Sequence, residues 1–600
     1  MADQFALPGS LFHDWLNGNK PKRGQGSAIT TMSVNQHLCL RAAFSVPTIV
    51  LLGLLSSISV SQAQTTWGVI DNGDSGTGTL RWAVASASNG DTIEFNLPMA
   101  SVITLTSGEI AINVNLSING PGAGNLTVSG NDSSRVFNIS HGANVSINRI
   151  TIANGRVTNN QGGGIRNAGQ LTITDCVMRD NTVAGSSGST ARIGGAIANA
   201  ATSAGPARLT VERCLIEDNS SAGDGGGIGS FTLAATTAEL TVRDSTFTGN
   251  HATWGGAIAQ YAQFGGSSLG EISNSTISNN ASTNDGAGID SDVLSGSGSN
   301  QLTLINTTIH GNSSSRSGGG VSSVLAGSIF RYRNTIVTGN TAAVTGNDFF
   351  QSNLGSDTVF QGGNLIGNNA GLIFFTSHSS DQIGTPGSPI NPLLGPLANN
   401  GGPTPSHLPA PGSPAIDGGL NLFCPAADQR GQTRPVDGNG NGSAICDSGA
   451  VEIQSDEIVD VSMAFDPPSL DFAEVEVGGS AATLSVSLVN TGDADLSGLA
   501  FDLSDAAFAI SSDDCSGGIP IGESCEVLIS FAPSETGAAG ANLAVSSIQG
   551  AATNLPMSGT GIILPDLIFQ DRFQDLGSQG EASGFTDMQP SASSRLLTRQ

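Results

Sequence analysis

Between residues 145 and 369 the chain alternates apolar and polar positions in short bursts that close, again and again, on asparagine. Six eleven-residue segments align without gaps: 171–181 (LTITDCVMRDN), 209–219 (LTVERCLIEDN), 240–250 (LTVRDSTFTGN), 270–280 (GEISNSTISNN), 302–312 (LTLINTTIHGN) and 330–340 (FRYRNTIVTGN). Weaker copies occupy 145–155 and 359–369. The closing asparagines lie 38, 31, 30, 32 and 28 residues apart. A glycine pair or triplet before an aliphatic residue marks each gap, ending at Ile165, Ile197, Ile228, Ile258, Ile289 and Val321, at spacings of 30 to 32. Apolar residues at positions one, three and eight predict short strands, two or three per repeat, with no helical period. Two landmarks sharing one period near 31 residues identify a solenoid.

The fold class that follows is all-β: a right-handed parallel β-helix in which each coil is stabilised by the next, ~4.8 Å away. Asparagine at position eleven should form a ladder of amide hydrogen bonds from coil to coil. Position six is small in every copy and should point inward at a bend. Stacking in register places Arg213 between Asp175 and Asp244, Arg179 beside Glu217, and Cys176 beside Cys214. The charged positions read as ladders on a solvated face, where each pair contributes at most ~1 kcal/mol.

The pattern changes twice towards the C-terminus. Residues 391–452 are a Pro/Gly-rich loop. Residues 456–562 return to period two in 470–478, 482–492, 507–510, 525–533 and 541–547, which predicts an Ig-like β-sandwich. Residues 563–600 form a polar, mostly disordered tail.

Composition narrows the function classes. Glycine makes up 81 of 600 residues without a collagen period, and charged residues only 12%. The two lysines are Lys20 and Lys22, so Schiff-base and Ser–Lys chemistry are excluded beyond them. Residues 32–63 read as a signal peptide: Arg41, an apolar run from Val46 to Leu55, then Ser61-Gln62-Ala63 at the cleavage site. Residues 1–31 precede an otherwise complete signal and read as an extension from a start placed too early. Removing two acids and four bases with residues 1–63 moves the formal charge from −27 to −29. Such a surface repels phosphate backbones and anionic lipid, which argues against nucleic acid as partner. The apolar run is too short for a membrane span, and none follows it.

Six cysteines then remain, an even number that favours disulfides in an exported chain. In sequence order they sort into Cys176/Cys214, Cys424/Cys446 and Cys515/Cys525. Asp437, Asn439 and Asn441 set oxygen side chains at alternate residues in a glycine-rich loop, with Asp447 as a further ligand for a structural Ca²⁺. The alternative is a solvated Asn/Gly turn tied by Cys424 and Cys446.

Acid pairs raise the question of catalysis. Glycosidases use two carboxyls ~5–9.5 Å apart. Asp285, Asp290 and Asp292 cluster at one glycine turn, with Asp224 expected one coil earlier; they would serve acid/base work or hold Ca²⁺. Arg316 is the nearest cation by register. Trp254, Tyr261 and Tyr332 are scarce aromatic platforms, and His251, His310 and His378 have no triad spacing and read as surface residues.

The coupling of the closing asparagine to the glycine turn, as in 245–258 (STFTGNHATWGGAI), resembles the repeats of chlamydial polymorphic outer membrane proteins. It is also similar to the bacterial choice-of-anchor Q β-helices of the pectate-lyase-like superfold. Residues 78–95 (GTLRWAVASASNGDTIEF) resemble the start of such proteins, which implies a short helix capping the first coil. Residues 391–452 resemble their ending, which implies a lower cap for a helix domain spanning 64–390. The sequences LVNTGDADL and CEVLISFAPSETG resemble choice-of-anchor D and Hydin-like Ig modules. Residues 566–574 (DLIFQDRFQ) faintly resemble an ending of secreted gammaproteobacterial proteins. The superfold carries lyases, hydrolases, adhesins and inert stalks alike. The leading expectation is an exported, non-catalytic adhesin or structural binder whose partner is a polysaccharide or cell-surface glycan. A Ca²⁺-assisted polysaccharide lyase or glycoside hydrolase is the alternative, and a stalk displaying the Ig module a third.

Overall fold

A computed structural model describes residues 64–185, 192–295, 298–325, 327–352, 356–455, 457 and 461–564. The extension, the signal peptide and almost all of the tail lie outside them. The described chain is all-β apart from one α-helix and two short 3-10 turns.

Among the described residues seven coils, from Asn144 to Gln351, carry four short strands, and the earlier coils three. One coil runs Gln170–Thr174, Val177–Arg179, Thr182–Ala184 and Ile197–Ala201, and the chain then returns beside its start at Ala207–Glu212. Stacking these in parallel produces four sheets, of 12, 11, 7 and 9 strands among the described residues in the order a coil visits them. The extra strand lies between the closing asparagine and the glycine turn, a stretch with no apolar alternation to announce it. Register is as the alignment predicts: Leu171, Leu209 and Leu240 stack in one column. Their inward neighbours form one continuous core from Val69 to Ile366.

Two bends in each coil explain the invariant positions. Position five adopts the left-handed backbone in all six copies, with φ of 53° at Asp175, 48° at Arg213, 51° at Asp244, 44° at Asn274, 45° at Asn306 and 48° at Asn334. Asp and Asn tolerate that conformation better than most residues. At position eleven the ladder is complete. The Nδ2 of Asn181, Asn219, Asn250, Asn280 and Asn312 donates at 2.9–3.0 Å to the Oδ1 of the next member, and Asn340 donates at 2.9 Å to Asp348. The backbone N–H of each donates to the same oxygen, so buried donors and acceptors are paired along the axis. Position six forms a second ladder, in which the Cys176 N–H donates to Cys214 Sγ, Cys214 N–H to Ser245 Oγ and Ser245 N–H to Ser275 Oγ.

That ladder overturns one expected disulfide. Cys176 and Cys214 stack as predicted, but as buried free thiols. The Cys214 sulfur sits where serine oxygens sit in later coils, accepting from the Cys176 amide at 3.4 Å. Cys424–Cys446 and Cys515–Cys525 are bonded.

The first coil is closed by helix Leu80–Ser86, capped by Thr79 and burying Leu80, Ala83 and Val84. The Pro/Gly-rich segment meets the last coil, where Ala415 packs with Leu365 and Ser448 Oγ donates to the Gly363 carbonyl, but it is not confined to that end. It runs back along the outer face of the second sheet. Gln429 links Thr246 and Thr276, His407 Nε2 lies 2.8 Å from Ser278 Oγ, and Asn274, Asn306 and Asn334 donate to Ala427, Asp447 and Leu420 carbonyls. This accounts for the switch at position five from charged residues to asparagine in the last three copies: there the bend is covered and must donate. In the earlier copies the solvated reading holds, with Arg213 2.7 Å from Asp175.

The C-terminal module is a sandwich of two four-stranded sheets. Its core holds Val486, Leu488, Val527, Ile529, Phe531, Leu543 and Leu555.

Candidate active site

The fourth sheet carries the site on its outer face. Its strands begin just after each glycine turn, with Ile258, Ile289 and Val321 facing the core. Alternation turns the next residue outward. Asp290 and Asp292 therefore point out from strand Ile289–Val293, and parallel register sets Ala259 opposite Asp290 and Tyr261 opposite Asp292. A second column comes from the residue that precedes each turn. Gly225, Gly255 and Gly286 have φ of 64°, 63° and 65°, and a Cβ on Gly286 would meet the Ile289 carbonyl at 2.5 Å. The turn is thus glycine-only, and it thrusts Asp224, Trp254 and Asp285 out beside the sheet. Asp224 lies two coils from Asp285, not one, because Trp254 and Tyr261 belong to the coil between. The two columns and Arg316 enclose a cavity of about 330 Å³.

Each acid in the cavity has its own environment. Asp290 is buried; Oδ2 accepts from the Tyr261 hydroxyl at 2.5 Å, and Ser322 bonds Oδ1. Burial, reinforced by the charge of Asp292, pushes the Asp290 carboxyl well above the carboxylate range. Asp292 is raised to about 6 by burial, while its Oδ1 accepts from Val324 N, Leu325 N and Ser323 Oγ at 2.8, 2.9 and 3.2 Å. Asp224 is raised to about 7 by burial against the opposing pull of Arg192 and Tyr261. Asp285 is raised by burial and opposed by Arg316, whose Nη1 lies 3.4 Å from Oδ2. Among the described residues no three of these carboxyls bring oxygens within 4.8 Å of one another. They surround a space rather than converge on a point, which does not fit the Ca²⁺ expected of Asp285, Asp290 and Asp292.

The other candidate residues fall elsewhere. Asp437 accepts from Asn441 N and Gly442 N, Asn439 from Asn441 N, and Asn441 from Ser443 N. Asp447 lies buried beneath, accepting from Asp417 N and Ile453 N. Its burial and the charge of Glu452 raise it to about 8. The four residues thus each accept from backbone amides. His251 and His378 are exposed, whereas His310 is half-buried with its ring 5.0 Å from that of His407. Tyr332 belongs to the core with Phe330, Phe349 and Phe360, which leaves Trp254 and Tyr261 as the aromatic residues at the acids. The sequence signal for the Trp254 column was the residue immediately before each glycine turn.

Residues 462–560 match the family model for HYDIN/CFA65/VesB-like, Ig-like domains. The C-terminal module is an Ig-like domain of that kind. No curated protein matches the chain. Similar solved structures include the ASH / PapD-like domain of human CEP192, with 19% identity over 17% of this chain and 87% of that one, at a TM-score of 0.15. The secreted serine protease VesC from Vibrio cholerae shows 22% identity over 15% of this chain and 21% of its own, at 0.13. The Vibrio cholerae VesB protease shows 18% over 16% and 31%, also at 0.13. The chain therefore spans about a fifth and a third of the two proteases.

Proposed function

We propose that this protein is an exported or surface β-helix whose fourth-sheet groove hydrolyses a glycosidic bond, with Asp224 as proton donor and Asp292 as base. The observation that carries the reading is the pair's environment. Burial raises Asp224 to about 7 and Asp292 to about 6, so both carboxyls titrate where proton exchange during turnover is feasible. They stand two coils apart and line one cavity. Trp254, on the intervening coil, supplies a face on which a sugar ring stacks.

In this reading Asp292 takes a proton from water as the water oxygen bonds to the anomeric carbon. Asp224 gives its proton to the departing glycosidic oxygen as the carbon–oxygen bond breaks. One water is consumed, and both acids reset by exchange with solvent. The configuration at carbon inverts. Asp290, held neutral, fixes Tyr261 between the two acids. An elimination route is less well served, since Arg316 is turned to Asp285. The two disulfides fit an oxidising compartment. The non-catalytic binder reading rests on the long polar face of the solenoid, and the acid-lined groove is what weighs for hydrolysis.

The test is product release from a panel of polysaccharides by the full chain. New reducing ends, of inverted configuration by NMR, should fall by roughly a hundredfold or more in D224N and in D292N. Absence of product from the whole panel, or product indifferent to both substitutions, rejects the proposal.

A further inference from the structure

We infer that the groove receives a glycan bearing a free, protonated amino group, a glucosamine-type rather than a uronate-type polymer, and that Asp285 takes the ammonium in place of Arg316. The inference rests on the glycosidase reading for where the sugar lies. It is carried by Asp285 itself. That residue is 1% exposed and lines the cavity, and its Oδ1 has no hydrogen-bond partner. A buried carboxylate oxygen left unpaired is costly and calls for a donor, best a charged one.

The cation now beside it is a weak occupant. Arg316 is 58% exposed, reaches only Oδ2, and does so at 3.4 Å. With the guanidinium itself in solvent and the contact this long, a ligand cation can take its place on the buried carboxyl. The rest of the cavity points the same way. Asp292 uses one oxygen for three donors, and the Asp224 carboxyl faces the same space. The polar lining of the groove is therefore mainly carboxyl. A substrate supplying carboxylates would meet repulsion, whereas one supplying ammonium and hydroxyl donors is complementary. The carboxyls also do not converge closely enough to prefer a bare metal ion.

The experiment is calorimetric binding of glucosamine, N-acetylglucosamine and galacturonate oligomers of equal length to the full chain carrying D292N, which in the hydrolytic reading binds without turnover. The glucosamine oligomer should bind roughly tenfold or more tighter than either other, with affinity falling as salt rises. D285N should abolish the preference. R316A, a change at an exposed side chain that leaves the fold intact, should instead tighten glucosamine binding by removing the competing cation. Equal or tighter binding of the galacturonate or acetylated oligomer, or weaker glucosamine binding in R316A, overturns the inference. Glucosamine preference with no cleavage by the unsubstituted chain sinks hydrolysis alone; Asp292-dependent cleavage of a neutral glycan without that preference sinks the amino-sugar inference alone.

Discussion

Tyr261 donates to Asp290 across neighbouring coils at 2.5 Å, and the same hydroxyl lies against Asp224 one coil in the other direction. One hydroxyl thus lies between two acids whose own strands do not pair. Its polar contact holds Asp224 down against burial. In Y261F that restraint is lost and Asp224 rises above about 7. The alkaline limb of glycan hydrolysis should then move up by about 0.5–1 pH unit. An unmoved limb in an active, folded Y261F enzyme would show that Asp224 is not the titrating acid.

The unsubstituted enzyme should show a bell-shaped pH profile. Activity needs Asp292 charged and Asp224 protonated, so it rises through about 6 and falls through about 7. The maximum lies between those values. D292N should lose the acid limb along with most of the rate. A flat profile from pH 5 to 8 contradicts the assignment.

Much of the solenoid was legible in the sequence because each coil must repeat what its neighbour needs. Leu171, Ile173, Cys176, Met178 and Asn181 occupy positions that stacking fixes, so a period and a polar rung sufficed to predict strands and ladder. The third strand escaped notice because Thr182–Ala184 buries little and alternates too briefly. The return of residues 391–452 along the second sheet was hidden for a different reason. Docking there uses Asn274, Asn306 and Asn334 together with Gln429 and His407, and a bend asparagine looks the same in sequence whether water or a carbonyl receives its donor. Asp285, Asp290 and Asp292 stood out through their spacing about a glycine turn. Their partners Trp254, Tyr261 and Ser322 lie on other coils, and only the register brings them together.

Removing one rung from the asparagine ladder should be costly. In N250A the backbone N–H and the Nδ2 of Asn219 both lose Asn250 Oδ1, and both are buried. Each stranded donor costs ~1–3 kcal/mol, so denaturant unfolding of the solenoid should shift by about 2–5 kcal/mol. Substitution of exposed Asn439 should change stability by less than about 0.5 kcal/mol. Equal effects from the two would refute the ladder as a stabilising feature.

The thiol rung makes a contrasting prediction. Cys214 Sγ accepts a bond that Ser245 Oγ accepts one coil on. C214S should therefore cost less than about 1.5 kcal/mol, a loss no disulfide partner would show. In peptide mapping of the unreduced protein, Cys176 and Cys214 should take up alkylating reagent only after denaturation, while the peptides of Cys424–Cys446 and Cys515–Cys525 stay linked. A Cys176–Cys214 cross-linked peptide would restore the overturned disulfide.

Acid should favour the folded state over alkali. Burial raises Asp224 to about 7, Asp292 and Asp348 to about 6 and Asp447 to about 8. Their unfolded values lie near 3.9, so between pH 4 and 8 the native state holds protons that the unfolded chain releases. Stability from these groups is complete below pH 4 and is lost as pH climbs through 6 to 8. His407 opposes them over a narrower window. Burial lowers it to about 4, so the unfolded chain protonates first and stability falls as pH drops from 6.5 to 4. Four raised acids outweigh one depressed histidine, so the melting temperature should be highest near pH 4 and decline as pH climbs to 8. D447N removes the largest of these four shifts and should flatten the alkaline decline whatever its own stability. A melting temperature that climbs from pH 6 to 9 would mean that these carboxyls ionise in the folded protein without penalty.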